Sequence, residues 1–310
     1  PTYNTRSPHQ IEEQLAQTLV GFGFSEIMNN SLTSPNYQAL DASLKDFKGV
    51  HLLNPLGQEL SQLRSSLLFS SLESIGFNLN RQAKNLKFFE IGKTYATTEE
   101  GFEEKKYAAL SLVGNPYSEN WDSSEHPSPF SYFKGVIENI WTRLGMSFSD
   151  YQYTEHPTLA EGVEWKLGKT TLGYMGIVKA EIAKEFNIDK TVYYATLDWE
   201  LILKYAFSKN LTLTPTPKFP TSRRDFALLV SKEVSFQAIE KLAYQTERKL
   251  LQKVGLFDVY EGKNLPENQK SYGVSFAFQD PNKTLTDKQI DKIMKKLQDR
   301  FAQELKAQLR

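Results

Sequence analysis

The last third of the chain shows two hydrophobic periodicities in turn. Bulky apolar residues alternate with small or polar ones over 225–230, 254–260 and 271–278, which predicts three β-strands. Apolar residues recur every three or four positions between the first two strands and again from Thr286, which predicts two helices. This order, with room for a short strand at the C-terminus, is typical of a split βαβ domain whose helices cover one face of its sheet.

Alternation also divides the strand residues between the two sheet faces. Phe257 and Val259 fall in the bulky sets that we expect under the helices. The open face is predicted to carry Asp225, Ala227, Asp258, Tyr260, Ser271 and Ser275. A tyrosine there can stack on an unpaired base, and a carboxylate can accept hydrogen bonds from the edge of guanine. The residues alone leave a second interpretation open, in which Tyr260 covers the sheet and Asp258 is merely solvated.

The first 213 residues predict a larger α+β domain. Ser7, Pro8 and Gln10 form a helix start with a capping box, and the stripe from Ile11 to Phe22 follows it. Further helices are predicted at about 65–81 and 132–144, and strands near 28–32, 87–91, 107–113, 151–154, 163–167, 171–178 and 191–198. Strands that follow one another through turns favour a largely antiparallel sheet over a doubly wound one.

The amino-acid composition limits the kinds of functional site that the chain can contain. The chain has 310 residues with 40% apolar and 13% aromatic side chains, and no apolar run approaches the length of a membrane span. It has no cysteine, which excludes disulfides, thiolate zinc sites and thiol nucleophiles. The four histidines form no metal-ligand spacing, so we predict no metal site. The start at Pro1 leads us to expect a piece of a longer protein.

The net charge of zero hides an asymmetry between two parts of the chain. From Pro217 onward there are 18 Lys and Arg against 12 Asp and Glu, a net of +6, so the preceding part carries −6. A basic small domain on an acidic larger one suits an anionic partner for the small domain. The alternating prolines of 214–217 are the predicted joint, which gives domains of 1–213 and 214–310.

Several segments together resemble a known family. They are Asn54-Pro55-Leu56-Gly57-Gln58-Glu59 through Leu63-Arg64-Ser65, Asn78-Leu79-Asn80-Arg81, Phe88-Phe89-Glu90-Ile91-Gly92, Arg223-Arg224-Asp225 and Leu256-Phe257-Asp258-Val259-Tyr260. In order and spacing, over essentially the whole chain, they resemble the beta subunit of bacterial phenylalanyl-tRNA synthetase. Each segment alone would be weak, but their agreement along the chain is specific.

The resemblance implies an antiparallel class II synthetase-like domain followed by a ferredoxin-fold anticodon-binding domain. It implies a partner, the catalytic alpha subunit, together with tRNA(Phe), no membrane, and a cytoplasmic location. ATP and magnesium would be used by the full synthetase and not by this part. The family's editing domain and a magnesium-binding domain would lie upstream of Pro1.

The first domain lacks the residues that a working class II site needs. Such a site uses one arginine on the ATP α-phosphate and another, in a Gly-rich motif, on adenine. The strand at 88–91 has Glu90 without a neighbouring Arg, and 150–213 contains no such motif. We therefore predict no catalytic residue, and a structural role for Arg64 as the partner of a carboxylate or helix end. The alternative is a self-contained ligase that activates a carboxylate with ATP.

With the resemblance, the open face becomes the predicted RNA-binding site. Its residues are Ala227, Asp258, Tyr260 and Ser275, with Arg223 and Arg224 at the start of the first strand as phosphate contacts. The lysines of the last helix (Lys288, Lys292, Lys295 and Lys296) are the alternative site, although a solvated helix face explains them. The helix from Ile11 to Phe22 is the predicted contact with the alpha subunit, an ordinary core-facing helix being equally compatible with its stripe.

Overall fold

A computed structural model describes residues 7–45, 47–117, 121, 128–146, 151–208, 215–262 and 265–310. The chain divides into two compact units, residues 1–211 and 212–310. The predicted domain boundary at 213/214 lies outside the described residues. Within the described ranges, no helix has the length and apolar character needed to cross a membrane.

The first unit is built on one long sheet. Its elements are α1 (Pro8–Gly21), β1 (Ser25–Glu26), β2 (Leu32–Thr33), 3-10 helices at Pro35–Leu40, Ala42–Leu44 and Gln58–Leu60, β3 (Gln62–Leu63), α2 (Leu68–Leu79), β4 (Leu86–Thr98), β5 (Gly101–Val113), α3 (Pro129–Arg143), β6 (Tyr151–Tyr153), β7 (Leu159–Leu167), β8 (Thr170–Val178), α4 (Ala180–Glu185), β9 (Val192–Asp198) and α5 (Trp199–Ser208). The described strands of the long sheet are ordered β1-β4-β5-β9-β8-β7-β6, and all neighbours are antiparallel except β1 and β4.

Helices cover both faces of this sheet. Ala108 on β5 packs into a core with α1, α3 and α5, whereas its neighbour Ala109 packs into a second core with α2 and α4. Successive strand residues point to opposite faces, so the two cores lie on opposite sides. The predicted antiparallel α+β architecture is confirmed.

Helix α1 begins as the sequence predicts, but its apolar stripe faces inward. The Ser7 side chain accepts from the Gln10 backbone N–H at 3.2 Å, and the Gln10 side chain accepts from the Ser7 N–H at 2.8 Å. Ile11, Leu15 and Leu19 are buried in the core. The apolar residues that suggested a contact with another subunit are therefore unavailable for one, and that prediction is wrong in this form.

The strand predicted at 28–32 is displaced. Pairing occurs earlier, at Ser25–Glu26 beside β4, and a short antiparallel pair follows at Leu32–Thr33. Asn29 turns away to donate to Glu90 at 3.0 Å, and Asn30 accepts from the Leu32 N–H at 3.0 Å. Asparagine side chains that bond nearby groups favour turns over strands, which explains the break.

The second unit has the predicted split βαβ arrangement. Its elements are β10 (Ser222–Ser231), α6 (Phe236–Thr246), β11 (Leu251–Tyr260), β12 (Gln269–Phe278), α7 (Asp287–Leu305) and β13 (Gln308–Leu309). The strands are ordered β11-β12-β10-β13 and each neighbouring pair is antiparallel. Leu228, Phe276 and Phe301 join the core under α6 and α7, while the described part of the unit places no helix on the other sheet face.

Candidate RNA-binding face

The small residues of β12 form the centre of the open face of the second unit. Ser271 pairs with Tyr260 of β11, and Gly273 pairs with Ala227 of β10 on one side and Asp258 of β11 on the other. Ser275 pairs with Asp225 and Gly255. The structure thus brings Ala227, Asp258, Tyr260 and Ser275 to one face, as alternation predicts.

A β-bulge adds Phe257 to this face. The register of β11 against β12 shifts between Leu256 and Asp258, so Phe257 is the extra residue and alternation changes phase there. A Cβ on Gly273 would lie 2.8 Å from the Phe257 ring and 2.8 Å from the Asp258 Cβ, which puts both side chains over this glycine. Phe257 is 56% exposed. Its predicted place under the helices is therefore wrong.

Val259 departs from the prediction in a different way. It pairs with Tyr272, whose side chain joins the core, so Val259 does point to the helical side. It nevertheless remains 50% exposed. It lies near the end of β11, an edge strand with a neighbouring strand on one side only.

Arg223 lies over the Phe257 ring. Its guanidinium carbon is 5.4 Å from the ring centroid, within the range of a cation–π contact. The same guanidinium donates to both carboxylate oxygens of Asp225, at 2.8 and 3.2 Å. These hydrogen bonds with Asp225 raise the pKa of Arg223.

Arg310 also contributes to this face, although it was not among the residues predicted for it. Its backbone N–H donates to the Ala227 carbonyl at 2.9 Å, which fixes it beside β10. From there its guanidinium reaches across the sheet to within 5.5 Å of the Tyr260 ring centroid. The open face therefore carries two aromatic rings, each with an arginine over it. No local pattern marks Arg310, because its place depends on the pairing of β13.

Arg224 lies on the helical side. Adjacent strand residues point to opposite faces, and the Arg224 side chain donates to Asp287 at the start of α7, at 2.6 Å. It also donates to the backbone carbonyl of Arg223 at 3.0 Å. The structure does not bring Arg224 to the open face with Arg223, and a phosphate contact by Arg224 stays a prediction.

Two polar groups of the open face differ in how they are engaged. The Ser275 hydroxyl donates to the Gly255 carbonyl at 3.3 Å. Asp258 is exposed, and among the described residues no side chain pairs with it. Its carboxylate is thus a free acceptor lying between the Phe257 and Tyr260 positions on β11.

The lysines of α7 lie away from the open face. This helix buries Ile290, Ile293 and Leu297 against the sheet, while Lys288, Lys292, Lys295 and Lys296 are exposed. Lys296 donates to the Thr246 carbonyl at 2.9 Å at the end of α6. The two candidate RNA sites are therefore on opposite sides of the unit, and an experiment can separate them.

In the first unit, Arg64 has the structural role predicted for it. Its guanidinium donates to Glu90 at 2.5 Å and to the Lys93 carbonyl at 2.9 Å, and both charged side chains are at least 95% buried. Asn29 donates to the second oxygen of Glu90 at 3.0 Å. A guanidinium held in this way by protein groups is not free to clamp a nucleotide phosphate.

The histidines form no metal centre within the described ranges, where no cluster of three or more potential ligands occurs. His156 stacks on Tyr174 with ring centroids 4.1 Å apart, and its Nδ1 lies 2.9 Å from the Thr158 hydroxyl. Burial lowers the pKa of His156, so this ring is neutral at physiological pH. His126 lies outside the described residues.

Comparison with known proteins gives consistent matches for both units. A family model for the phenylalanyl tRNA synthetase beta chain CLM domain matches residues 2–199, and one for the ferredoxin-fold anticodon binding domain matches residues 217–310. The pyrrolysyl-tRNA synthetase of Desulfitobacterium hafniense, a solved structure, superposes with a TM-score of 0.50 over 65% of this chain and 70% of its own. At 18% identity, this likeness concerns the fold alone.

Curated relatives match along nearly the whole chain. The phenylalanine–tRNA ligase beta subunit of Bacteroides fragilis is 41% identical over 319 residues, covering 97% of this chain and 38% of the relative. That of Thermotoga maritima is 30% identical over 289 residues, covering 93% of this chain and 36% of the relative. The chain thus spans well under half the length of these relatives. It belongs to the phenylalanyl tRNA synthetase beta chain family.

Proposed function

We propose that the chain is a non-catalytic part of a phenylalanine–tRNA ligase that binds the anticodon stem-loop of tRNA(Phe) on the open face of its second unit. The observation that carries this proposal is the pairing of exposed aromatic rings with basic groups around the free carboxylate of Asp258. Aromatic rings stack on unpaired bases of any identity, whereas a carboxylate selects among base edges. The face therefore combines general affinity with a means of discrimination.

We further propose that the first unit does not catalyse adenylate formation. The buried pair of Arg64 and Glu90 supports this, because it occupies the one arginine that the sequence placed near a class II site. The described residues of this unit do not fit an ATP site with two free arginines. ATP and magnesium would be bound by the alpha subunit, where the activation of phenylalanine takes place.

We propose the loop at residues 52–60, here named the leucine loop, as the contact surface for the alpha subunit. Its base is closed by backbone hydrogen bonds from Leu52 N–H to Ser61 and from Leu63 N–H to Val50, at 2.9 and 2.8 Å. Within the loop, the side chains of Leu53 and Leu56 are fully exposed to solvent. Apolar side chains exposed close together form the kind of surface patch that can bind another protein. We propose that the assembly acts in the cytoplasm.

Two assays test the proposal. Fluorescence anisotropy would compare binding of the chain to the tRNA(Phe) anticodon stem-loop and to a duplex of similar composition, and we expect preference for the loop. Phenylalanine-dependent ATP–pyrophosphate exchange would be measured on the chain alone, and we expect none. Exchange activity would favour the alternative of a self-contained ligase, and equal affinity for loop and duplex would contradict the RNA-binding role.

A further inference from the structure

Phe257 is an exposed aromatic residue that the fold does not explain. Its ring joins neither the core under the helices nor a cluster of other apolar side chains, and more than half of it is exposed. It contacts the floor of the open face at Gly273, where a Cβ would approach the ring to 2.8 Å. Gly273 thus leaves the space in which this ring rests on the sheet.

We propose that Phe257 is a second base-stacking surface beside Tyr260, so that the open face holds two unpaired bases of one RNA loop. The inference rests on the proposed function of this face and adds the number and placement of the bases. Both rings belong to β11 and are three residues apart, a separation along the strand of at most about 10 Å. Asp258 lies between them, where its carboxylate can reach the edge of either stacked base.

The arginines over the two rings fit this role. Arg223 lies 5.4 Å from the Phe257 centroid and Arg310 lies 5.5 Å from the Tyr260 centroid. A guanidinium–ring contact at an exposed site is weaker than the stacking of a base on an aromatic ring. A base that takes the place of the guanidinium therefore gains, and the displaced arginine is left close to the phosphate of the same nucleotide.

The β-bulge at Phe257 places the rings of Phe257 and Tyr260 on the same face of the sheet, where each can stack on a base. If the register of Asp258 and Tyr260 continued unbroken to Phe257, alternation would turn Phe257 to the helical side and leave Tyr260 as the single aromatic residue of this strand on the face. The extra residue brings both rings to one side without moving Asp258 off it. A purely structural role, in which the Phe257 ring only shields Gly273 from water, is the competing explanation.

An abasic scan of the anticodon stem-loop separates these explanations. Single abasic nucleotides would be placed at each loop position, and affinities for the chain measured by fluorescence anisotropy at fixed salt. For the wild-type chain we expect two sensitive positions, each weakening binding about 5- to 150-fold. In Phe257→Leu, which keeps an apolar cover over Gly273 but lacks a π face, one of the two positions should become insensitive.

Two variants serve as references. In Tyr260→Leu, an abasic nucleotide at the other position should no longer weaken binding, whereas one at the Phe257-dependent position still should. Val259→Ala, on the same strand but on the helical side, should leave both positions sensitive. Unchanged circular dichroism would show that each variant is folded.

The outcomes are distinguishable. If abasic nucleotides weakened binding at two loop positions in both the wild type and Phe257→Leu, Phe257 would not be a second base-stacking surface. The RNA-binding role of the open face would be unaffected. One sensitive position in the wild type, lost in Tyr260→Leu alone, would lead to the same conclusion. No sensitive position at all, with Tyr260→Leu silent, would contradict the proposed function itself.

Discussion

The guanidinium of Arg310 lies 5.5 Å from the ring centroid of Tyr260, although Tyr260 lies on one edge strand, β11, and Arg310 directly follows the other, β13. The two inner strands between them carry Ala227, Ser271 and Gly273 on this face, together with the larger Leu229. The contact therefore links the last described residue of the chain to the aromatic residue that the sequence selects for base stacking. It makes β13 part of the candidate site and not only of the fold.

The first prediction concerns this arginine. Arg310→Ala should weaken binding of the anticodon stem-loop and make the dependence of log affinity on log salt shallower by about 0.7 to 1, because one phosphate contact is lost. Lys295→Ala removes the same charge from α7 on the helical side and should change the salt dependence much less. Equal effects of the two substitutions would show that net charge, and not the open face, determines binding.

The second prediction concerns the free carboxylate. Asp258→Ala should weaken binding by roughly 1–3 kcal/mol for a loop with the base that it reads, and far less for loops in which that base is replaced. The control is Asp291→Ala on α7, which makes the same change of charge on the other side of the unit. Binding titrations with loops that differ at one base would measure both. A uniform change for all loops would argue against base recognition by Asp258.

The third prediction separates the two faces by stability. Phe276 is completely buried, and Phe276→Ala should lower the free energy of unfolding by about 3–5 kcal/mol. Phe257→Ala should cost about 1 kcal/mol or less, because its ring is largely in water already. Hydrogen exchange of the β12 amides reports on the second unit alone and would measure both. Similar losses for the two variants would place Phe257 in the core after all.

The fourth prediction concerns docking. Leu53→Ser and Leu56→Ser together should abolish co-purification with a co-expressed alpha subunit, because they remove the apolar contact surface of the leucine loop. Thermal stability of the chain alone should stay unchanged, since both side chains are exposed. The matched control is Phe102→Ser, another highly exposed apolar residue in the same unit. Retained co-purification of the double variant would exclude the leucine loop as the interface.

The sequence was sufficient where structure depends on local periodicity. The capping box of α1 and the alternation along β10 and β12 are properties of consecutive residues, and the structure confirms them. The open face could therefore be predicted from the sequence with six of its residues. Helix α5 at 199–208 was not predicted, because it follows β9 without a linker. The Asp198 side chain accepts from the Leu201 N–H at 2.9 Å, a capping signal that could have revealed it.

The remaining features depend on contacts between distant segments. The bulge at Phe257 is defined by the register of β11 against β12, so alternation within β11 predicts the wrong sheet face for Phe257. Arg310 reaches Tyr260 only because β13 pairs with β10. The inward orientation of the α1 stripe follows from which core it meets, because an amphipathic pattern predicts a buried side without identifying what buries it.

The most direct test of the central claim is a map of the surface that RNA touches. Amide chemical shifts of isotopically labelled chain would be followed by NMR during titration with the tRNA(Phe) anticodon stem-loop. We predict that the largest changes fall on the open face, at Asp258, Tyr260, Gly273 and Ser275, with little change along α7. Largest changes at Lys288, Lys292 and Lys296 instead would contradict it and assign RNA binding to the helical side.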